Sequence, residues 1–427
     1  MPLTEQSIRV MLEITDPNIH FTEDCRIETI RDREAIVWPA VLSYQPDCCV
    51  NCGFATSLVK YGFNENLITA PGPTFRPVYV RLKRQRFKCR HCGNLFDADS
   101  SFIDFKHRIS QPTRQMILFE SLRNSSMVDI ADRYFVSDKT VQRVINEEAA
   151  LHAKRPKLAL PMHMAFDEFK ATKTMSFIWC DSDSHQLGDI LYSRKSRDLT
   201  YYFEGFPLAT RAAVKTITVD LNAGYINLIP RLFPNAKIIV DRFHIVQMLG
   251  NALNTIRIQV MKFYAKSSAE YRFMKREWKL FKQPIAALES KTKTYHASVR
   301  FEETSLNLVS HCVDLDPKFR AAYEVYQTAL AAIAAHNTTA MTELLSNYQP
   351  LDNNMDRPMK SLYQHLKQVN NALTYEYSNG YLEGIIGRIK KIKNVAFGFR
   401  NWVNMKTRIF EQLSWFDIRR HRRNILG

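Results

Sequence analysis

No stretch of this 427-residue sequence is apolar for long enough to span a bilayer. The first residues, MPLTEQSIRVMLEITDPN, lack the basic start and apolar middle of a secretory leader. Internal repeats and low-complexity tracts are missing too, which argues against a repeat architecture. Acidic residues are in deficit: 43 Asp and Glu stand against 59 Lys and Arg, a formal net charge of +16. That balance favours a polyanionic partner, either nucleic acid or an acidic membrane surface. With no span and no leader, the expectation is a cytoplasmic protein, with nucleic acid as the partner. Cysteines number only 8, and four of them form two close pairs. In a reducing compartment such pairs point to metal rather than to disulfides. What is plentiful is core material: hydrophobic residues make up 45%, and 427 residues exceed one ordinary core, so two or more domains are expected.

Residues 1–40 give no clear pattern. From Pro46 the sequence reads PDCCVNCG, and after a loop it reads VYVRLKRQRFKCRHCG. Cys49 and Cys52 form one CxxC, Cys89 and Cys92 the other, each followed by Gly. Thiolates with two residues between them can face one ion, and two such knuckles complete a four-sulfur cage, a closed and therefore structural zinc site. Cys48 can stand in for Cys49, so the first ligand is one of these two. Between the knuckles, Val78, Val80 and Leu82 alternate with Tyr79 and Arg81 as in a strand, followed by Lys83, Arg84, Arg86 and Lys88. These cations fit a DNA-contacting strand and equally a solvated ribbon edge.

QPTRQMILFESLRN reads as a helix, and SSMVDIADRYFVSDKTVQRVINEEAA as helix, turn, helix. Ser126 and Ser137 are the expected caps. Val128, Ile130, Ala131 and Tyr134 form the first packed face, Val141, Val144 and Ile145 the second. That leaves Asp138, Lys139, Gln142 and Arg143 outward, where a recognition helix meets base edges.

Over 162–245 the segments MHMAFDEFKA, TMSFIWCDSDS and LGDILYSRK read as a three-strand meander. VKTITVD, the helical NAGYINLIPRLF, NAKIIVDRFH and a long helix from Ile245 follow, adding parallel strands. Asp167 lies in the first meander strand and Asp220 ends the strand expected beside it, so two carboxylates should converge at the sheet rim. Carboxylates so placed repel unless cations neutralise them, and Mg²⁺ favours such hard oxygens. Asp241 ends the next strand and is an alternative to Asp220, with His244 one turn on. Glu168 points to the opposite face from Asp167. Asp181 and Asp183 read as hairpin residues. A third carboxylate would come from Glu383, in SNGYLEGIIGRIKKIKNVAFGFRN, where it borders the apolar stripe of Leu382, Ile385, Ile386 and Ile389. A plain helix-start role is the alternative, with Asn379 or Gly380 as cap.

CVNCG…CRHCG, a helix-turn-helix, AFDEF, TVDLNAGY, FPNAKIIVDRFH and SNGYLEGIIGRIKKIKNVAFGFRNWVNMKTRI together closely resemble bacterial insertion-sequence transposases of the ISL3 family. The resemblance runs from about Cys49 to about Arg408. It implies a multidomain α+β protein whose ribonuclease H-like catalytic core, with a mixed sheet, is interrupted by an all-α insertion. The implied layout is an N-terminal segment at 1–45, a zinc ribbon at 46–105 and a helix-turn-helix domain at 106–155. The core then occupies 156–260, the insertion 261–370 and the C-terminal part of the core 371–427. By motif match Asp167, Asp220 and Glu383 are the DDE triad holding two Mg²⁺ or Mn²⁺ ions, with Asp241 and His244 accessory. The implied activity is cleavage and joining of double-stranded DNA at the element's terminal inverted repeats, by a homo-oligomer and without a nucleotide cofactor. Lys390, Lys391, Lys393 and Arg400 would hold backbone near the cut. Two other readings stay open: a DNA-binding regulator with an inactive nuclease-like domain, and a metal nuclease that does not rejoin.

Overall fold

The computed structural model describes residues 4–413 other than 56, 73–74, 105–106, 124, 153–158, 172–173, 222 and 400. Contacts divide the chain into two compact units, Met1–Arg155 with Ile389–Gly427, and Pro156–Arg388. The segment 371–427 is therefore shared between them, parting after Arg388.

The first unit begins with α1 (Glu5–Met11) and a six-stranded sheet. Its strands are β1 (Ile19–Phe21), β2 (Arg26–Ile30), β3 (Arg33–Leu42), β4 (Leu58–Ala70), β5 (Val78–Cys89) and β6 (Leu95–Asp97). The path is β1-β3-β5-β4, with β2 on β3 and β6 on β5. β3 and β5 are parallel, the other pairs antiparallel. Leu12, Ile19, Trp38, Leu42, Val80 and Phe87 pack on one face, while Ala35, Val37 and Tyr79 form a small cluster apart from it. Apolar residues needed on both sides blur the period-2 signal, which is why 19–42 did not read as strands.

α2 (Gln111–Ser121), α3 (Met127–Arg133) and α4 (Asp138–His152) follow. Ser126 and Asp129 cap α3 reciprocally, and Ser137 Oγ accepts the Thr140 N–H at 3.1 Å. Phe135 turns the chain between α3 and α4 at φ 53°. Ile117, Ile130, Ala131, Val141, Val144 and Ile145 make the core of the three helices. Val128 was expected there and is instead 59% exposed. It stands about 200° round the helix from Ile130, which takes the inward side. A helical stretch over 402–413 returns to this group: Arg408 Nη2 donates to Ser125 O (2.8 Å) and Gln412 Nε2 to Ser121 O (3.0 Å).

The second unit carries a five-stranded sheet of β7 (His163–Lys170), β8 (Met175–Asp181), β9 (Leu187–Leu191), β10 (Thr216–Val219) and β11 (Lys237–Val240). Its order is β11-β10-β7-β8-β9. β7, β8 and β9 are the antiparallel meander; β10 joins β7 in parallel and β11 joins β10 in parallel. Between β9 and β10 lie α5 (Ser196–Glu204) and α6 (Leu208–Ala212), which the sequence did not foretell. α7 (Ala223–Leu232) links β10 to β11, and α8 (Arg242–Met261) leaves β11. One sheet face is closed by aromatic rings: Phe203 on α5 packs against Phe166 (centroids 5.5 Å apart), Phe233 (5.0 Å) and Phe177 (6.0 Å).

Residues 262–374 are mostly helical. They comprise α9 (Ala269–Arg276), α10 (Ser305–Val313), α11 (Pro317–Ala334), α12 (Thr338–Ser346), α13 (Asp356–Gln364) and α14 (Leu366–Thr374). An unexpected hairpin, β12 (Thr294–His296) with β13 (Phe301–Glu303), interrupts them. These helices share a core with α8 and with Ile239 and Val240 of β11. α15 (Gly380–Val395) closes the set. No helix among the described residues is long and apolar enough to cross a membrane.

Phe203→Ala should destabilise the protein by about 3–5 kcal/mol, since the side chain is 1% exposed and ringed by aromatics. Urea denaturation of the full chain measures this. A loss near that of a surface substitution would show that α5 is not part of the sheet's core.

Candidate metal centres

Two groups of ligand-type side chains converge among the described residues. The first is Cys49, Cys52, Cys89 and Cys92, whose sulfurs all lie within 4.8 Å of one another. Cys49 Sγ is 3.6 Å from Cys92 Sγ, and Cys52 Sγ 3.7 Å from Cys89 Sγ. A tetrahedron with Zn–S bonds of about 2.3 Å has edges of about 3.8 Å, so the four sulfurs fit one zinc ion. The two knuckles repeat one design. Gly53 N donates to Cys49 O and Gly93 N to Cys89 O, both at 2.9 Å, with the glycines at φ 72° and 73°. The backbone N–H of Cys92, opposed by burial, brings Cys89 down to about 6 and that of Cys52 lowers Cys49, while burial and contact with the other three thiols push Cys52 up to about 12, so the four sulfurs do not all ionise without a cation among them. Cys48 is exposed and stands outside the group, so Cys49 is the residue placed to bind.

The second group follows from β-register. β10 pairs with β7 at Thr218↔Ala165, and with β11 at Val219↔Val240. Continuing those ladders sets Asp220 abreast of Asp167 on one side and of Asp241 on the other. Residues abreast in parallel strands point to one face, so three aspartates lie at one level, Asp167 within β7 and Asp220 and Asp241 just past the ends of β10 and β11. Asp241 then occupies the N-cap of α8 without a side-chain cap bond, and it is 3% exposed. His244, one turn into α8, brings Nε2 to 2.9 Å from Asp220 Oδ1 and 3.7 Å from Glu383 Oε1. The ligand atoms of Asp220, Asp241 and His244 all fall within 4.8 Å.

Burial pushes the Asp167 carboxyl up to about 7; the Glu168 N–H (2.6 Å) and His244 oppose this, while Asp220 and Glu383 add to it. Burial also raises Asp241. The Asp220 carboxylate 2.9 Å from Nε2, helped by Asp241 and Asp167, raises His244 against desolvation. An oxygen-rich set with one imidazole, too crowded with carboxylates to be comfortable alone, suits a hard divalent cation. Both Asp220 and its alternative Asp241 belong to it.

α15 buries Leu382, Ile385, Ile386 and Ile389, leaving Glu383 44% exposed at the side chain beside His244. The Asn379 side chain, a candidate cap, does not cap α15; its Nδ2 donates to Phe166 O at 3.0 Å. Sequence alone offered no sign of that contact beyond an Asn-Gly at a helix start. Glu168 faces away from the aspartates, accepting from Tyr225 Oη at 2.7 Å and pairing with Arg194. Asp181 serves the turn, accepting from Asp183 N (2.9 Å) and Ser184 Oγ (2.6 Å).

The candidate DNA-contacting residues divide sharply. On α4, Asp138, Lys139 and Arg143 are exposed and Gln142 is half-buried, donating to Asn146 Oδ1 at 2.9 Å. They line one open groove with Asn404. β5 is an interior strand, and Lys83 and Arg86 lie 3.9 and 3.6 Å from Glu65 and Asp97. Arg84 does not belong with them: it is 5% exposed, and Nε and Nη2 both donate to Ala98 O, at 3.0 and 2.7 Å. β5 turns Arg84 inward while Lys83, on the opposite face, stays exposed. Lys390 and Lys391 are exposed on α15 and Lys393 is half-buried. Arg400 lies outside the described residues.

The sequence profile of the ISL3 family of DDE transposases, described as Transposase, matches residues 164–409, more than half of the chain. The chain belongs to the ISL3 family of transposases. The matched span begins at β7 and holds all five residues of the acidic group and its surroundings: Asp167, Asp220, Asp241, His244 and Glu383. Among curated proteins, the transposase for insertion sequence element IS1001 of Bordetella parapertussis is 23% identical over 185 residues, 42% of this chain and 45% of that one. A Lactococcus lactis subsp. lactis protein described as an ATP-dependent protease is 34% identical over 106 residues, 25% of this chain and 34% of that one. The ISL3-family chain thus spans less than half the length of each relative.

Cys49→Ser and Cys92→Ser should each release zinc from the full-length protein, as measured by elemental analysis. Unchanged zinc in both would refute the four-sulfur site. A second expectation concerns pH. Asp167 holds its proton more tightly folded (about 7) than in an unfolded chain (about 3.9). Its contribution to stability is therefore complete below about 4 and is lost as pH rises through about 7. In metal-free protein, stability should fall over this range more steeply for the wild type than for Asp167→Asn. Parallel pH curves of denaturation midpoint would contradict this.

Proposed function

We propose that the chain is a DNA transposase that binds the terminal inverted repeats of its insertion sequence and performs metal-dependent strand cleavage and strand transfer. The observation that carries this reading is the alignment of Asp167, Asp220 and Asp241 across β7, β10 and β11, with Glu383 delivered to His244 from α15. The strand order, an antiparallel meander extended by two parallel strands on its first member, supports a ribonuclease H-like core. The α3–turn–α4 pair, with Lys139, Gln142 and Arg143 outward, supports a helix-turn-helix reader of the repeats. The four-cysteine knuckles would brace that end of the protein around zinc.

Asp167, Asp220 and Glu383 would hold the divalent ions, Mg²⁺ or Mn²⁺, with Asp241 beside them. When bound, two such ions supply the Lewis acidity for phosphoryl transfer, activating a water or a 3′-hydroxyl and stabilising the leaving oxygen. The protein's own part is positional. Asp167 and Asp220 fix the ligand spacing through the sheet. His244 lies against Asp220 Oδ1 and, protonated, can donate Nε2–H there, restraining the carboxylate's rotation. The 44% exposure of Glu383 leaves the site open to a duplex. Lys390, Lys391, Lys393 and Arg400 would meet phosphates flanking the cut. A homo-oligomer on DNA is the expected working form, because transposition pairs two ends.

Glu383→Gln tests this reading. The amide matches the carboxylate in size and lacks its charge. The variant should fold, bind terminal-repeat DNA and lose cleavage and joining by several orders of magnitude. Asp167→Asn and Asp220→Asn should behave alike, whereas Glu168→Gln should stay active. Near-normal cleavage by Glu383→Gln would return that residue to a helix-start role. Cleavage without joining in the wild type would favour a nuclease, and repeat binding without either would favour a regulator.

A further inference from the structure

Asn379 is wholly buried, and its side chain is spent in an unusual way. An Asn at a helix start ordinarily turns its Oδ1 back to an N–H of the first turn. Here Nδ2 instead reaches across to the backbone carbonyl of Phe166, in β7 and one residue before Asp167, at 3.0 Å. The Asn379 backbone carbonyl accepts the N–H of Glu383 at 2.9 Å, and its backbone N–H faces the Asp241 carboxylate. One residue thereby touches the neighbour of Asp167, the carboxylate of Asp241 and the backbone of Glu383. Its Oδ1 is buried and accepts no hydrogen bond among the described residues. Leaving an acceptor so is unfavourable, and a small apolar side chain would have avoided it. The residue type is thus explained by what Nδ2 holds in place, not by packing.

We propose that Asn379 is a positioning residue. Its side-chain amide pins the start of α15 to β7 and so sets where Glu383 stands relative to the aspartates. This rests on the metal-site reading of those carboxylates. The pin works against slippage rather than detachment. α15 is also secured by its buried apolar stripe, by stacking of Tyr381 on His185 (4.1 Å between centroids) and, just upstream, by the bond from Tyr377 Oη to Asp183 (2.9 Å). Removing the amide should leave the helix docked and Glu383 free to drift. Sub-ångström ligand placement then suffers while the fold survives.

The test uses the full-length protein and Mn²⁺ as probe, with Asn379→Ala and Asn379→Asp compared with wild type and Glu383→Gln. Mn²⁺ binding is read from the loss of the free-ion electron paramagnetic resonance signal, and cleavage of terminal-repeat DNA is followed as Mn²⁺ is raised. Both Asn379 variants should stay folded and keep zinc and repeat binding, with a lower thermal midpoint because a buried hydrogen bond is lost. Their half-saturating Mn²⁺ should rise at least about tenfold, the range seen when outer-shell partners of metal ligands are lost. Cleavage should fall at low Mn²⁺ and recover in part at high Mn²⁺, a signature that simple destabilisation does not give. If Glu383→Gln is inactive but Asn379→Ala binds Mn²⁺ like wild type, the positioning role is overturned while the transposase reading stands. If Glu383→Gln cleaves normally, the metal-site reading has failed and this proposal falls with it. Should Asn379→Ala not fold, Asn379→Ser is titrated in the same way. Failure of both to fold makes Asn379 a purely structural residue and overturns the proposal.

Discussion

The hydrogen-bond ladders between β7, β10 and β11 hold Asp167, Asp220 and Asp241 level, and much else in the second unit follows from that constraint. Adjacent strands lie about 4.8 Å apart, so neighbouring carboxylates at one level cannot avoid each other by moving along the chain. Two like charges about 4 Å apart repel by roughly 4 kcal/mol at an effective dielectric near 20. Burial is the main cause of the raised Asp167 and Asp241, and the neighbouring carboxylates add to it, whereas the raised His244 answers the carboxylates beside it. The aromatic cluster around Phe203 keeps the opposite face of the sheet dry and rigid, so the ladder cannot relax by buckling.

The parts of the fold that were legible in the sequence are those with a single period and a single job. The meander, β10, α7, β11 and α8 announced themselves as apolar runs between turn residues, and both CxxCG knuckles by spacing. The order of strands even favoured Asp220 as the neighbour of Asp167, and the pairing of β10 with β7 agrees. Register was not legible. It depends on which backbone groups pair, so the levelling of Asp241 with the other two could be seen only as an alternative. Of the N-terminal sheet only β5 was legible; β1 to β3 were hidden because apolar residues are needed on both sides of the sheet. α5 and α6 fall between LGDILYSRK and VKTITVD, where no element was expected.

Arg84 and Asn379 show the same limit at the scale of one side chain. Arg84 looked like one more cation in a basic strand, yet its guanidinium satisfies the carbonyl of Ala98. Asn379 looked like a cap, yet its amide is committed to Phe166. In each case the deciding partner is a backbone carbonyl, and backbone carbonyls carry no signature in the sequence. Cysteine spacing avoids this difficulty, because both ligands of a knuckle lie on one short turn that the glycine itself prescribes.

A sheet measures distance in whole strands. Along β7, β10 and β11 the carboxylates can be set one rung or two apart and at no intermediate value, and moving one of them by a single residue would turn it to the other side altogether. Any fine adjustment of this centre must therefore come from the elements that are not rungs of the ladder: α8, which carries His244, and α15, which carries Glu383. The sheet acts as a ruler with coarse marks and the two helices as its vernier. Length changes should accordingly be ruinous within the four residues of β10.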